Sequence, residues 1–294
     1  MLLGGHAGIA SLGEFSFLGK AIALNQQCSC GLSMSECAAW DGIVRSVIRR
    51  TGMNLRNHPY ALRQWDTRAK VLVDARQQTK AYVVSAQARA LLCDARYRGR
   101  PGSAWRVPLA PSLRKGVANS MLLYDLILEE WRKLTVVDSS KNIHKALSVY
   151  EADPHNTRVI LLTRDGRGVY WSGRRSGFGR EESARVWTRY YQRALPLLQA
   201  TVREEHVTRI RYEDMVENTT DTLRGLCRFL DLEFEPGMND LATPVRHLFN
   251  GNDTRMAPRR EIKLDDRWRR EMPEDELAYF HRKEAGLNST LGYG

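Results

Sequence analysis

Two segments of the sequence place anion-binding residue types where an apolar run leads into a segment of helical spacing. In the first, residues 136–141, the apolar run ends in Ser139, Ser140 and Lys141. A helix start offers unbonded N–H groups and a positive dipole end, and a lysine adds a point charge. A phosphate or sulfate could bind there. Alternatively, Asp138 or one of the serines only caps the helix, and the segment alone does not decide between the two.

The second segment, residues 163–172, repeats this arrangement with an arginine. Arg164 follows an apolar run, and Ser172 lies about two helical turns further on. The guanidinium of an arginine can bind a phosphate through two parallel hydrogen bonds, which a lysine cannot do. The alternative for Arg164 is a surface ion pair. For Asp165 we expect a helix cap or an arginine partner and not a catalyst.

These segments belong to a pattern of apolar runs that alternate with longer stretches of helical spacing. The pattern predicts an α/β fold with a parallel sheet and flanking helices. The predicted strands are 8–12, 134–138, 158–162 and 207–212, and predicted helices include 184–198, 223–230 and 274–283. In an open parallel sheet, ligands bind beyond the carboxyl ends of the strands, so chemistry is expected at the polar clusters that end the runs.

The length of the chain, 294 residues, fits one large α/β domain, and we predict a single domain over residues 1–294. Within it, residues 75–133 are predicted to be a helical insertion or lid. Residues 237–294 are predicted to form a C-terminal loop and helix. The region from Pro101 to Arg114 and the helices flanking it are expected to shape a ligand pocket.

Charge and hydropathy narrow the class of ligand. Lys and Arg number 45 against 34 Asp and Glu, a net charge of +11 that favours anionic ligands. The basic residues are spread along the chain without a tail-like block, so a nucleic-acid partner is not expected. No run of about 18 apolar residues occurs, and the apolar start is too short for a signal peptide. We therefore expect a cytoplasmic protein without a membrane segment.

Together, the two anion-binding segments resemble the sulfotransferases that use 3′-phosphoadenosine 5′-phosphosulfate (PAPS), and the resemblance covers most of the chain. The Arg-Asp-Gly-Arg of residues 164–167 is particularly similar to the tyrosylprotein branch. Residues 211–214, 229–232 and 251–255 resemble later landmarks of the family. The resemblance implies a fold like that of P-loop nucleotide kinases and PAPS as the donor. It also implies that Arg164 and Ser172 hold the 3′-phosphate, while Arg255, in a C-terminal loop, closes over the nucleotide.

The resemblance begins within the first helix of the family and lacks the upstream loop, rich in glycine and serine, that cradles the 5′-phosphosulfate. We expect that the start was assigned downstream of the true one. Glu14 matches the base of the tyrosylprotein branch and could take a proton from the acceptor; alternatively it caps a helix. His6 and His144 are reserve bases, with His144 expected on a helix surface.

The five cysteines are an odd number, which does not favour a secreted disulfide scaffold. Cys28, Cys30 and Cys37 lie close together, and three thiolates with one further ligand would satisfy tetrahedral zinc. Residues 20–50 contain no fourth cysteine and no histidine. Bacterial members of the family that this chain resembles often show a similar Cys-x-Cys-Gly stretch, so the resemblance implies a structural loop, and no metal is expected.

The predicted activity is in-line transfer of a sulfonate group from PAPS to a hydroxyl or amine. Lys141 is expected to stabilise the leaving oxygen. The acceptor, carbohydrate, peptide tyrosine or small molecule, is not determined by the sequence, nor is the oligomeric state. A nucleotide kinase is disfavoured because the Gly-rich Lys-Ser/Thr loop is absent. The alternative is a truncated, inactive sulfotransferase-like protein that binds anions or nucleic acid.

Overall fold

The structure is a computed structural model that describes residues 2–65, 80–98, 107–240, 247–249 and 262–294. The chain forms two compact units. The first comprises the described parts of Met1–Arg96, Val107–Asn156 and Leu223–Glu261, and the second those of Tyr97–Arg106, Thr157–Thr222 and Ile262–Gly294. The single domain over 1–294 remains a prediction.

Four strands are described, and they pair in parallel within each unit. Strand β1 (Ile9–Gly13) pairs with β2 (Thr135–Asp138) in the first unit, and β3 (Val159–Thr163) pairs with β4 (Val207–Arg211) in the second. Each strand lies within one residue of its predicted position. Parallel pairing requires a crossover, and the long segments of helical spacing supply it. The prediction of an α/β fold with parallel strands is therefore confirmed.

The α-helices account for more than half of the described residues. They are α1 Leu18–Ala23, α2 Ala38–Thr51, α3 Lys80–Arg98, α4 Pro111–Trp131, α5 Ile143–Ala152, α6 Gly166–Arg175, α7 Arg180–Thr201, α8 Tyr212–Glu217, α9 Thr219–Phe229, α10 Trp268–Glu271, α11 Glu274–Glu284 and α12 Leu287–Thr290. Helices α3 and α4 lie in the predicted insertion, and α11 matches the predicted C-terminal helix. Among the described residues, no helix is both long enough and apolar enough to cross a membrane.

An aromatic cluster forms the core of the first unit next to the end of β1. Phe15 and Phe249 are fully buried, and Trp40 is nearly so. The Trp40 ring meets those of Phe249 and Trp131 edge-on, with centroids 5.0 and 5.1 Å apart. Such pairs stabilise a core beyond the area that they bury. The cluster therefore fixes the residues that follow β1, including Glu14.

The core of the second unit lies under the start of α6. Trp187 on α7 and Phe280 on α11 pack with ring centroids 5.8 Å apart, and Trp187 belongs to the apolar stripe predicted for α7. A Cβ atom on Gly166 would come within 2.5 Å of Phe280 and 2.9 Å of Trp187, closer than packing allows. The glycine of the Arg-Asp-Gly-Arg segment therefore serves close packing.

Candidate functional site

The carboxyl ends of β1 and β2 bring a glutamate and a lysine together. Gly13 ends β1 with a positive φ of 65°, and Glu14 follows it. Lys141 follows β2 with a φ of 52°, in the left-handed region that most residues avoid. Its Nζ lies 2.7 Å from Glu14 Oε1, and 77% of the lysine side chain is exposed against 22% of the glutamate. The Lys141 ammonium is therefore accessible to a ligand, and the Glu14 carboxylate is partly shielded from solvent.

A second lysine lies beneath this pair. The Lys145 side chain is almost fully buried on α5, and its ammonium donates hydrogen bonds to Asp138 Oδ2 at 2.6 Å and to Ser16 Oγ and Gln64 Oε1 at 3.1 Å. The Tyr124 hydroxyl donates to the same Asp138 oxygen at 2.6 Å. Burial lowers the pKa of Lys145, opposed by the Asp138 charge, and burial also raises the pKa of Tyr124.

The sequence analysis missed Lys145. Helical spacing gave no signal for its burial, because residue 145 falls on the opposite side of the helix from the apolar residues Ile143, Leu147 and Tyr150. A lysine buried on an apolar helix requires a carboxylate partner, and the only aspartate or glutamate in residues 135–142 is Asp138.

The cap of α5 differs from the expectation. Neither Asp138 nor a serine caps the helix; the Asn142 side chain does so by accepting a hydrogen bond from the Lys145 N–H. Ser140 instead hydrogen-bonds through its hydroxyl to Asp138 and accepts the Ser16 N–H at 3.0 Å. The Ser139 side chain is exposed, and its N–H donates to the Gly13 carbonyl oxygen. Lys141 therefore precedes the helix as an exposed loop residue.

At the end of β3, three residues of the Arg-Asp-Gly-Arg segment have local structural tasks. Asp165 is buried and caps α6 by accepting the Arg167 N–H at 2.9 Å. It also pairs with the Arg167 guanidinium at 2.8 Å. Both expectations for Asp165, cap and arginine partner, are confirmed. Since Gly166 serves packing, Arg164 is the member of the segment with no local structural task among the contacts described.

Arg164 is held in a defined orientation within the second unit. Its guanidinium donates to the Asp265 carbonyl oxygen at 3.0 Å and to Asp265 Oδ2 at 3.1 Å. It also lies over the Tyr212 ring, 4.7 Å from the centroid. Hydrogen bonds from Arg267, and then from Arg164, hold the pKa of Asp265 well below its ordinary value. The surface ion pair that was the alternative for Arg164 exists, and its hydrogen bonds to Asp265 come from one of the three guanidinium nitrogens.

The predicted site residues are divided between the two units. Glu14, Ser139, Ser140 and Lys141 lie in the first unit, and Arg164 and Ser172 lie in the second. Ser172 is half-buried on α6. Arg255 lies outside the described residues, as does much of the stretch from Pro101 to Arg114. The convergence of these residues on one nucleotide therefore stays a prediction.

The two reserve histidines are both buried. His144 does not lie on the helix surface as expected: it is 7% exposed, and its Nε2 lies 2.7 Å from Asp94 Oδ1. His6 Nδ1 accepts the Gly8 N–H at 2.9 Å, so its Nε2 carries a proton and donates to the Glu233 carbonyl oxygen. Both rings are engaged in the fold, which favours Glu14 as the base.

The three clustered cysteines meet a fourth potential ligand from a distant part of the sequence. His247 contributes its Nδ1, and one ligand atom from each of Cys28, Cys30, Cys37 and His247 lies within 4.8 Å of all the others. None of the cysteines forms a disulfide. Burial raises the pKa of the Cys28 and Cys37 thiols and lowers that of His247. A search limited to residues 20–50 could not find this histidine.

Comparison with solved structures supports the fold. A sulfotransferase domain from the olefin synthase of Synechococcus PCC 7002 is 16% identical, with a TM-score of 0.51 over 96% of this chain and 87% of that one. A sulfotransferase domain from the curacin biosynthetic pathway is 23% identical over 61% of this chain and 74% of that one, with a TM-score of 0.44. The likeness to the olefin synthase domain concerns the fold alone, because the identity is low. Comparison with curated proteins gives no match.

The sequence match is more direct. Residues 27–236, well over half of the chain, match the sulfotransferase family. The match includes both strand ends that carry Lys141 and Arg164. With the parallel strands and the basic residues that follow them, it establishes that the chain belongs to the sulfotransferase family.

Proposed function

We propose that this chain transfers a sulfonate group from PAPS to a hydroxyl or amine acceptor, with Glu14 as the base and Lys141 as the cation at the leaving oxygen. The observation that carries the proposal is the 2.7 Å contact between Lys141 Nζ and Glu14 Oε1 beyond the ends of β1 and β2. In parallel sheets this edge is where ligands bind. Membership of the sulfotransferase family supplies the reaction class.

The ion pair suits a resting state in which the two catalytic groups neutralise each other. Lys141 is exposed and on a loop, so its ammonium can move to an incoming anion at little cost. When it does so, Glu14 loses that partner and can accept a proton. In this proposal, donor binding thus removes the Lys141 charge from the base.

The proposed chemistry balances without a metal. The acceptor oxygen or nitrogen attacks sulfur while the bond from sulfur to the bridging phosphate oxygen breaks in line. Glu14 takes the acceptor proton, and Lys141 stabilises the negative charge on the departing oxygen. The products are a sulfated acceptor and adenosine 3′,5′-bisphosphate. A cation placed where charge develops lowers the barrier more than it strengthens ground-state binding.

Other residues are proposed to hold the nucleotide. Ser139 is exposed beside Lys141, so its hydroxyl can reach a phosphate oxygen. Ser140 supports the same turn through its bonds to Asp138 and Ser16. Arg164 and Ser172 are proposed for the 3′-phosphate, with Arg255 as a further cation. The half-buried, oriented guanidinium of Arg164 supports its part in this assignment.

The test compares Lys141→Ala and Glu14→Gln with the parent protein. We expect either change to lower turnover about 100-fold or more while the affinity for adenosine 3′,5′-bisphosphate falls much less. Turnover is measured by transfer of radiolabelled sulfonate, and affinity by calorimetry. Lys133→Ala, which changes a lysine before the opposite end of β2, is the matched control and should leave both quantities near the parent values.

The same measurements separate the enzyme from the inactive anion binder. They are made on this chain and on the product of the reading frame extended upstream of Met1. Failure of both to bind the bisphosphate, together with RNA affinity that falls steeply with salt, would favour the binder. Normal turnover in Lys141→Ala would refute the role given to that lysine.

A further inference from the structure

Four of the six distances among the potential ligand atoms of Cys28, Cys30, Cys37 and His247 fit a tetrahedral site, and all six are within 4.8 Å. The Sγ atom of Cys37 lies 3.7 Å from that of Cys30 and 3.7 Å from that of Cys28. His247 Nδ1 lies 3.3 Å from Cys37 Sγ and 3.8 Å from Cys28 Sγ. Bonds of about 2.3 Å to sulfur and 2.0 Å to nitrogen in tetrahedral zinc place ligand atoms about 3.5–3.8 Å apart. The observed spacings match that geometry.

The backbone around the cysteines forms a loop built to present side chains inward. The Cys28 N–H donates to the Leu32 carbonyl oxygen at 2.8 Å, and the Gly31 N–H donates to the Cys28 carbonyl oxygen at 2.9 Å. Gly31 has a φ of 93°, a conformation that favours glycine in such a tight turn. Cys37 then stands at the start of α2. Two cysteines of the loop and one at a helix start therefore point to a common centre.

Hydrogen bonds hold the histidine segment against this loop. The Leu248 N–H donates to Ser29 Oγ at 2.9 Å, and the Ser29 N–H returns a bond to the Leu248 carbonyl oxygen at 2.8 Å. The Trp40 indole N–H donates to the His247 carbonyl oxygen at 2.9 Å. Three bonds thus fix His247 beside the cysteines, although more than 200 residues separate them in the sequence.

The surroundings explain why a metal is the best occupant. Cys28 and Cys37 are buried, 0% and 1% exposed, and belong to the apolar core of the first unit. Paired thiols could fill such a core without a ligand, but apolar packing alone would not require an imidazole nitrogen among three sulfur atoms. A mixed set of three thiolates and one imidazole, with Cys28 and Cys37 buried and Cys30 and His247 partly buried, is typical of structural zinc.

We propose that Cys28, Cys30, Cys37 and His247 bind one structural zinc ion. The ion joins the loop before α2 to residues 247–249. Phe249 of that segment packs against Phe15, whose ring centroid is 6.3 Å away, and Phe15 directly follows Glu14. The zinc therefore stabilises the packing of Phe249 against Phe15, next to the candidate base Glu14. Its role is structural, and it does not depend on which acceptor the enzyme sulfates.

The first test measures metal in the purified protein. We expect about one zinc per chain by elemental mass spectrometry, and X-ray absorption that shows three sulfur neighbours and one nitrogen. Cobalt substitution should give the visible absorption of a tetrahedral thiolate site. Removing the metal with a strong chelator should lower Tm, and adding zinc should restore it.

Matched variants locate the ion. Cys30→Ser and His247→Ala should lose most of the zinc, whereas His247→Cys should keep it because a fourth thiolate also suits zinc. Cys227→Ser is the control, since Cys227 is buried elsewhere and contacts Met238. If the variants fail to fold, the metal content and cobalt spectrum of the parent protein still decide the question.

The proposal would be overturned if the parent protein, purified from a medium that contains zinc, held no metal. A disulfide between Cys30 and Cys37 in that protein would also overturn it. So would a Tm that responds to neither chelator nor zinc. None of these outcomes tests sulfonate transfer, because that proposal is tested separately by the activity of the Lys141→Ala and Glu14→Gln variants.

Discussion

The two strand ends that carry the candidate cations are built differently. At the end of β2, Lys141 is 77% exposed and has its carboxylate contact with Glu14, whereas the buried Lys145 beneath it holds Asp138. At the end of β3, Arg164 is 25% exposed, is paired with Asp265 and lies over the Tyr212 ring. One cation can therefore move, and the other is held in place.

The difference matches the two kinds of work that a group-transfer enzyme needs. A cation that stabilises the negative charge developing on a leaving oxygen must change partners during the reaction. An exposed lysine on a loop can do this. A cation that anchors an unreacting phosphate benefits from a fixed orientation, because less freedom is lost on binding. The comparison thus predicts separate consequences for each of the basic residues.

The largest effect is expected from Lys145→Met. The change leaves the Asp138 carboxylate without its charged partner, so the free energy of unfolding should fall by about 3–5 kcal/mol. Lys141→Met, four residues earlier, is the matched control and should change it by about 1 kcal/mol or less, because its ion pair is exposed. Both values come from urea denaturation. Equal stability of the two variants would contradict the distinction between a buried and an exposed lysine.

A smaller effect is expected from Arg164→Ala, measured by calorimetry with adenosine 3′,5′-bisphosphate. Loss of charged hydrogen bonds to the phosphate should weaken binding about 10- to 100-fold. Arg267→Ala removes the other arginine partner of Asp265 and is the control. Unchanged binding in Arg164→Ala would refute the assignment. Equal weakening by both variants would indicate that Asp265, and not the phosphate, is what Arg164 serves.

The smallest effect concerns Asp265→Asn and its pH dependence. Because the pKa of Asp265 is depressed in the folded protein, its charge stabilises the fold above the ordinary value of 3.8, and that contribution is lost as the pH falls below it. The variant should be less stable by about 1–2 kcal/mol at pH 7. Denaturation curves should converge as the solution becomes acidic. A difference that stays constant with pH would exclude the charge as its cause.

Local sequence patterns predicted much of the fold because the interactions behind them are local. The four strands were found from apolar runs, and helices α7 and α9 from their apolar stripes. Asp165 caps α6 and pairs with an arginine, and both interactions join it to Arg167, two positions further along the chain. Hydrogen bonds of this kind form within one turn of backbone, so neighbouring residues are sufficient to predict them.

The errors have the opposite character. His144 was expected at the surface and is buried against Asp94, and the cap of α5 is Asn142. The ion pair between Lys145 and Asp138 was not predicted. In the first and last of these cases the burial of a polar side chain decided the outcome, and burial depends on which elements pack against it.

The sequence by itself determined the family, the parallel strands and the basic residues that follow them, because residue type and spacing along one chain segment are sufficient for each. Tertiary structure alone decided that His247 meets three cysteines more than 200 residues away, and that of two lysines four residues apart one is exposed and the other buried. The physical reason is that ligand sets and buried ion pairs depend on distances in space, which the order of residues does not contain.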